Sequence, residues 1–240
     1  MNIVDTLGAL RTLWPVRAGW RAFLPARTKA PVHVGGRPLI CMLVISDVRS
    51  DPRVRREADA LSKAGYEIKV IYPDCYSPSF AEEPFTWGPN ISFRPVSCAS
   101  GQYYATFPYV WGDEFHAAVS EERPYAFHSH DLNTALVALS AAQVAGAYCI
   151  CDFHEWYSEN VSWDAEKQAW SEHPSDKKEI YQALERLVLS RANGVVTVSD
   201  SIADAIRDEL SSTQRRPTVI RNVPNFEFVG RSGEFDVKKE

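Results

Sequence analysis

Apolar residues in this chain come in short blocks, and the blocks switch between two periods. Residues 39–46 (LICMLVIS) form an almost unbroken apolar run, as in a strand buried on both faces. A helical period follows, with Val54, Ala58 and Leu61 on one stripe. Asp51 stands at its cap position, Pro52 opens it and Gly65 ends it. Residues 66–72 (YEIKVIY) predict a second strand, which completes a β-α-β unit. That unit carries no G-x-G-x-x-G, so the usual dinucleotide fingerprint is absent.

Further along, residues 91–96 and 125–130 read as strands. Residues 132–146 are an alanine- and leucine-rich helix, and a strand follows that ends at Asp152-Phe153-His154-Glu155. Residues 177–192 form an amphipathic helix with Ile180, Leu184, Leu187 and Val188 on one face. Residues 194–199 predict a strand. Residues 200–210 predict a helix capped by Ser199, and 218–221 a last strand. Strands alternating with helices over residues 39–225 predict an α/β fold: a doubly wound, mainly parallel sheet of about seven strands. Three stretches break the rhythm. Residues 73–90 are a proline-rich connection, and residues 103–120 are aromatic-rich and partly helical. Residues 156–174 read as a long loop, with Trp156, Tyr157, Trp163 and Trp170. Such a loop either contacts ligand as a lid or anchors itself to the core through its tryptophans.

Composition adds constraints. A formal net charge of −5 over 240 residues gives no reason to expect nucleic acid as a partner. Residues 1–38 differ from the rest: they hold Arg11, Arg17, Arg21, Arg27, Lys29 and Arg37 against Asp5 alone. Leu7, Leu10, Trp14, Trp20, Phe23 and Leu24 are interleaved with those arginines, and Pro15 divides the stretch into two short amphipathic pieces. Residues 7–24 therefore suit peripheral contact with an anionic membrane. The plainer alternative is a leader that lies on the protein surface or stays poorly ordered. Residues 31–38 read as a linker. No apolar run approaches the ~20 residues of a membrane span, and no signal peptide is evident. The expected location is cytoplasmic, with the membrane face as a peripheral option. Cys41, Cys75, Cys98, Cys149 and Cys151 show no C-x-x-C spacing and read as free thiols, the first and last two buried in strands.

Candidate chemistry gathers in two clusters, His128-Ser129-His130-Asp131 and Asp152-Phe153-His154-Glu155, each at the end of a predicted strand. Parallel strands point the same way, so both clusters surface on the sheet edge where open α/β sheets bind ligands. Alternation puts His128 and His130 on one face. Three readings follow. His128, His130, Asp131, Asp152 and His154 could ligate the metal of a hydrolase. Carboxylates, imidazoles and amides beside aromatics could bind sugar hydroxyls, with or without catalysis. The plain reading is caps and strand-end hydrogen bonds, with Asp131 capping the helix that starts at Leu132.

Several motifs together resemble a known family. They are Ser50-Asp51-Pro52-Arg53-Val54-Arg55-Arg56-Glu57 with Ala64-Gly65-Tyr66; His128-Ser129-His130-Asp131-Leu132-Asn133; Asp152-Phe153-His154-Glu155; Val196-Thr197-Val198-Ser199; and Val219-Ile220-Arg221-Asn222-Val223-Pro224-Asn225. In order and spacing the chain resembles the N-terminal, acceptor-side domain of the family-4 retaining glycosyltransferases, a Rossmann-like half of a GT-B fold. The resemblance implies transfer of a sugar from a nucleotide-sugar donor to an acceptor with no metal or other cofactor. It implies that His130 is the active-site histidine. Asp131, Asn133, Asp152, His154, Glu155 and Ser199 would line the acceptor side of the cleft. The loop holding Asp47, Arg49 and Arg53 would face the donor phosphates, its arginines standing where many relatives have glycines. Residues 226–240 would begin the link to a donor-binding domain. The expected partners are a sugar acceptor and a donor domain or separate donor subunit. The chain alone is then expected to be inactive, and a sugar-binding module without catalysis is the alternative.

Overall fold

The computed structural model describes residues 35–74, 86–97, 113–209 and 216–223. The amphipathic leader, Cys75, Cys98, most of the aromatic-rich stretch before residue 113 and the segment 224–240 lie outside the described residues.

The strands are β1 (Leu39–Leu43), β2 (Glu67–Pro73), β3 (Ile91–Val96), β4 (Ala126–His130), β5 (Tyr148–Phe153), β6 (Val161–Asp164), β7 (Ala169–Glu172), β8 (Gly194–Thr197) and β9 (Thr218–Val219). The helices are α1 (Pro52–Lys63), α2 (Asp113–Ser120), α3 (Asp131–Ala145), α4 (Ser175–Arg191) and α5 (Asp200–Glu209). Seven strands form one sheet in the order β3-β2-β1-β4-β5-β8-β9, and every pairing is parallel. Chain order reverses between β1 and β4, so the switch point of the sheet lies at their carboxyl ends.

Alternation along the strands feeds two separate cores. Cys41 and Leu43 of β1, Phe127 of β4, and Cys149, Cys151 and Phe153 of β5 face α2, α3 and α4, where they meet Leu132, Leu184 and Val188. Ile40 and Met42 of β1, Ile68 and Val70 of β2, and Ala126 of β4 face α1 and its Val54 and Ala58. His128, His130 and Asp152 continue this second face toward the strand ends, where apolar packing gives way to polar groups. Cys41, Cys149 and Cys151 are buried free thiols. Burial pushes the Cys41 thiol up to about 12.

The local signals held at α1. Asp51 accepts hydrogen bonds from the Arg53 and Val54 N–H groups, and Pro52 occupies the first turn. Ser199 likewise accepts from Ile202 N–H at the start of α5, at 3.3 Å. Residues 156–174 are not an open loop. They hold a 3₁₀ turn, Tyr157–Glu159, and an antiparallel hairpin of β6 and β7. Trp163 pairs with Trp170 across the hairpin, with ring centroids 5.8 Å apart and nearly perpendicular. Their exposures are 55% and 68%, so these two tryptophans do not anchor the segment to the core. Among the described residues, no helix is long and apolar enough to cross a membrane.

Candidate functional site

The polar groups at the carboxyl edge come from three elements and the turns next to them. Arg53 and Glu57 lie one turn apart on α1. His128 and His130 end β4, with ring centroids 4.5 Å apart, as the strand period requires. Asp152 pairs in register with His130 from β5, and His154 follows just past that strand.

Arg53 organises this group. Its Nε donates to Asp152 Oδ2 at 3.1 Å and to Glu57 Oε1 at 3.2 Å, and its Nη2 donates to Asp152 Oδ1. Arg53 is 6% exposed and Asp152 is fully buried, so this two-nitrogen fork compensates a carboxylate that water cannot reach. His154 bridges two carboxylates, with Nε2 3.2 Å from Asp152 Oδ2 and Nδ1 3.3 Å from Asp131 Oδ2. His130 Nδ1 lies 3.3 Å from His154 Nε2 and 3.8 Å from Asp152 Oδ2. His128 Nε2 lies 3.7 Å from Glu57 Oε2.

The electrostatics divide accordingly. Burial pushes Glu57 up to about 7, helped by Asp152 and opposed by Arg53. Burial alone raises Asp152, but His154, His130 and Arg53 outweigh it and hold that carboxyl well below the usual range. Burial lowers His128 to about 4 and takes His130 well below its ordinary value. His154 moves the other way, because Asp152 and Asp131 overcome its partial burial. Burial lifts Asp131 to about 6 against the pull of His154.

Asp131 does not cap the helix it begins. It takes a left-handed φ of 66°, rare for a residue with a Cβ. Its Oδ1 accepts the His154 N–H at 3.3 Å instead. The His130 carbonyl accepts from Thr134 Oγ1 at 2.8 Å. Arg53, expected to face the donor phosphates, has its guanidinium turned inward to Asp152 and Glu57. Arg49 stays at the surface beside Asp47, whose carboxylate accepts from the Arg49 Nε at 3.2 Å. Of the other cleft candidates, Asn133 is half-buried on the first turn of α3 and Ser199 is the α5 cap. Glu155 is exposed and accepts from Asn160 Nδ2. The sequence reading gave no role to Glu57 or Thr134. For Glu57 the available signal is its i,i+4 spacing from Arg53, beside the buried stripe of α1.

The groups that could hold a metal also differ from those of the alternative hydrolase reading. Glu57, His128, His130 and Asp152 each bring a ligand atom to within 4.8 Å of the others, and Asp131 and His154 fall outside that group. On the opposite face of β5, Phe153, Trp156, Gln182, Glu185 and Ile206 line a small cleft.

Residues 50–223 match the family described as the glycosyl transferase 4-like domain. The chain belongs to this family. No match was found among curated proteins. Two solved structures of sucrose-phosphate synthase from Thermosynechococcus elongatus are similar in fold. One is 14% identical with a TM-score of 0.51, over 80% of this chain and 92% of that one. The other is 14% identical with a TM-score of 0.55, over 77% of this chain and 48% of that one. This glycosyl transferase 4-like domain therefore has the Rossmann-like architecture of GT-B glycosyltransferases, and it spans about half the length of the second synthase chain. Its polar cluster lies at the sheet edge beside the switch point, inside the span that matches the family.

Proposed function

We propose that this glycosyl transferase 4-like domain is the acceptor-side half of a retaining glycosyltransferase. It would work with a donor-binding half, and transfer would run from a nucleotide-sugar donor to a sugar acceptor without a catalytic metal. The observation that carries the reading is the family match over residues 50–223, which encloses every member of the polar cluster. The chemistry of the edge supports it. Imidazoles and carboxylates are the groups that bind sugar hydroxyls, and His130 Nε2 is buried without a hydrogen-bond partner among the described residues. His130 is then the catalytic residue, held by His154 and Asp152. Asp131, Asn133, His154 and Glu155 line the acceptor side, and Arg49 and Asp47 remain on the loop proposed to face the donor. Asp152 acts from beneath, as a positioning residue. A cytoplasmic setting, with residues 7–24 touching the membrane surface, completes the proposal.

The test is steady-state transfer by the domain joined to its donor-binding half. His130→Ala is expected to lower kcat at least tenfold, on the order of 1.4 kcal/mol in the barrier. An unchanged kcat would make His130 a structural residue. The 240 residues assayed alone are expected to transfer nothing, and turnover by them would remove the requirement for a second half.

A further inference from the structure

We propose that Glu57, His128, His130 and Asp152 bind one divalent transition-metal ion. The four side chains come from α1, β4 and β5, and their ligand atoms already lie within 4.8 Å of one another. Three polar atoms here, Glu57 Oε2, His128 Nε2 and His130 Nε2, are buried with no hydrogen-bond partner among the described residues. Groups of this kind are rare in folded proteins, and an ion is one of the few things that would satisfy all three at once. Two imidazoles with two carboxylates suit zinc and its neighbours rather than calcium, which takes oxygen ligands.

Charge and support agree with the ligand set. With all three ionised, the carboxylates of Glu57, Asp131 and Asp152 exceed the two cationic groups beside them, Arg53 and protonated His154, by one charge. Arg53 does not fill the site. It takes Asp152 and the Oε1 of Glu57, and leaves Oε2 turned toward His128. Arg53 and His154 instead act as the outer shell that fixes the Asp152 carboxylate, and Asp131 fixes His154 in turn. Metal–nitrogen and metal–oxygen bonds of about 2.0–2.2 Å put tetrahedral ligand atoms about 3.4 Å apart. The cluster therefore contracts around the ion by up to about 1.4 Å, drawing α1 toward the ends of β4 and β5. The assignment needs nothing from the transfer reading. If both hold, ion and sugar compete for His130.

The experiment strips the full chain with a chelator, adds zinc chloride and titrates against a chromophoric zinc chelator. One equivalent of zinc should be retained per chain, and the thermal midpoint should rise with zinc. Glu57→Gln and His128→Asn should each weaken zinc binding at least tenfold at unchanged circular dichroism. Cobalt(II) added to the stripped wild-type chain should give the visible ligand-field bands of a tetrahedral nitrogen–oxygen site. That arm is independent of how the variants fold. No retained zinc, equal affinity in both folded variants, or a thiolate-to-cobalt charge-transfer band would overturn the assignment. None of these results depends on sugar transfer, so failure here leaves the proposed function standing.

Discussion

At the scale of single residues, the site is governed by what Arg53 does. The family resemblance places it at the end of the loop expected to face the donor phosphates. The structure turns it inward because Asp152, 3.1 Å away in space and 99 positions away in sequence, is fully buried and must be compensated. Such long-range pairing leaves no local trace. By contrast, the common face of His128 and His130 was legible, because it follows from strand alternation alone. Removing the guanidinium should leave Asp152 buried with only the imidazoles of His154 and His130 against its charge. Arg53→Met is expected to cost about 3–5 kcal/mol in urea unfolding. Arg53→Lys should recover only part of that loss, since an ammonium cannot supply the paired nitrogens.

At the scale of elements, those with their own punctuation were read correctly and the one without it was missed. Helix α1 announces itself through Asp51 and Pro52, and α3 ends where Gly146 takes a left-handed φ of 68°. Nothing lies within 4 Å of a Cβ built on Gly146, so Gly146→Ala should cost backbone strain alone, about 1 kcal/mol by chemical denaturation. The β6–β7 hairpin has no glycine at its turn. Asp164 closes it by accepting from the N–H groups of Glu166 and Lys167, and Gln168 takes a φ of 49°. Its two arms are four residues each. Arms this short give too little alternation to separate from a polar loop.

At the scale of the molecule, the sheet and its parallel order were legible because each of the seven sheet strands is separated from the next by a helix or a long connection. The ties across the sheet were not. Glu122, buried just before β4, accepts from Lys69 Nζ of β2 at 2.8 Å and from Arg94 Nη1 of β3 at 2.6 Å. Burial raises its pKa, but those two cations outweigh burial and leave it below its ordinary 4.5. A carboxyl lowered in the folded state binds fewer protons there than in the unfolded chain. Its contribution is therefore complete above about pH 4.5 and fades as the pH falls through the lower folded value. Urea midpoints measured from pH 6 to pH 3 should fall less steeply for Glu122→Gln than for the parent chain. The exposed tryptophan pair stands on the hairpin that follows the carboxyl end of β5. Two indoles held at a fixed angle across a hairpin couple their electronic transitions. The protein thus carries its own optical reporter, rooted one turn beyond Glu155. A donor half, an acceptor or a membrane that covers this edge should change that coupled signal in ultraviolet circular dichroism, with no label added.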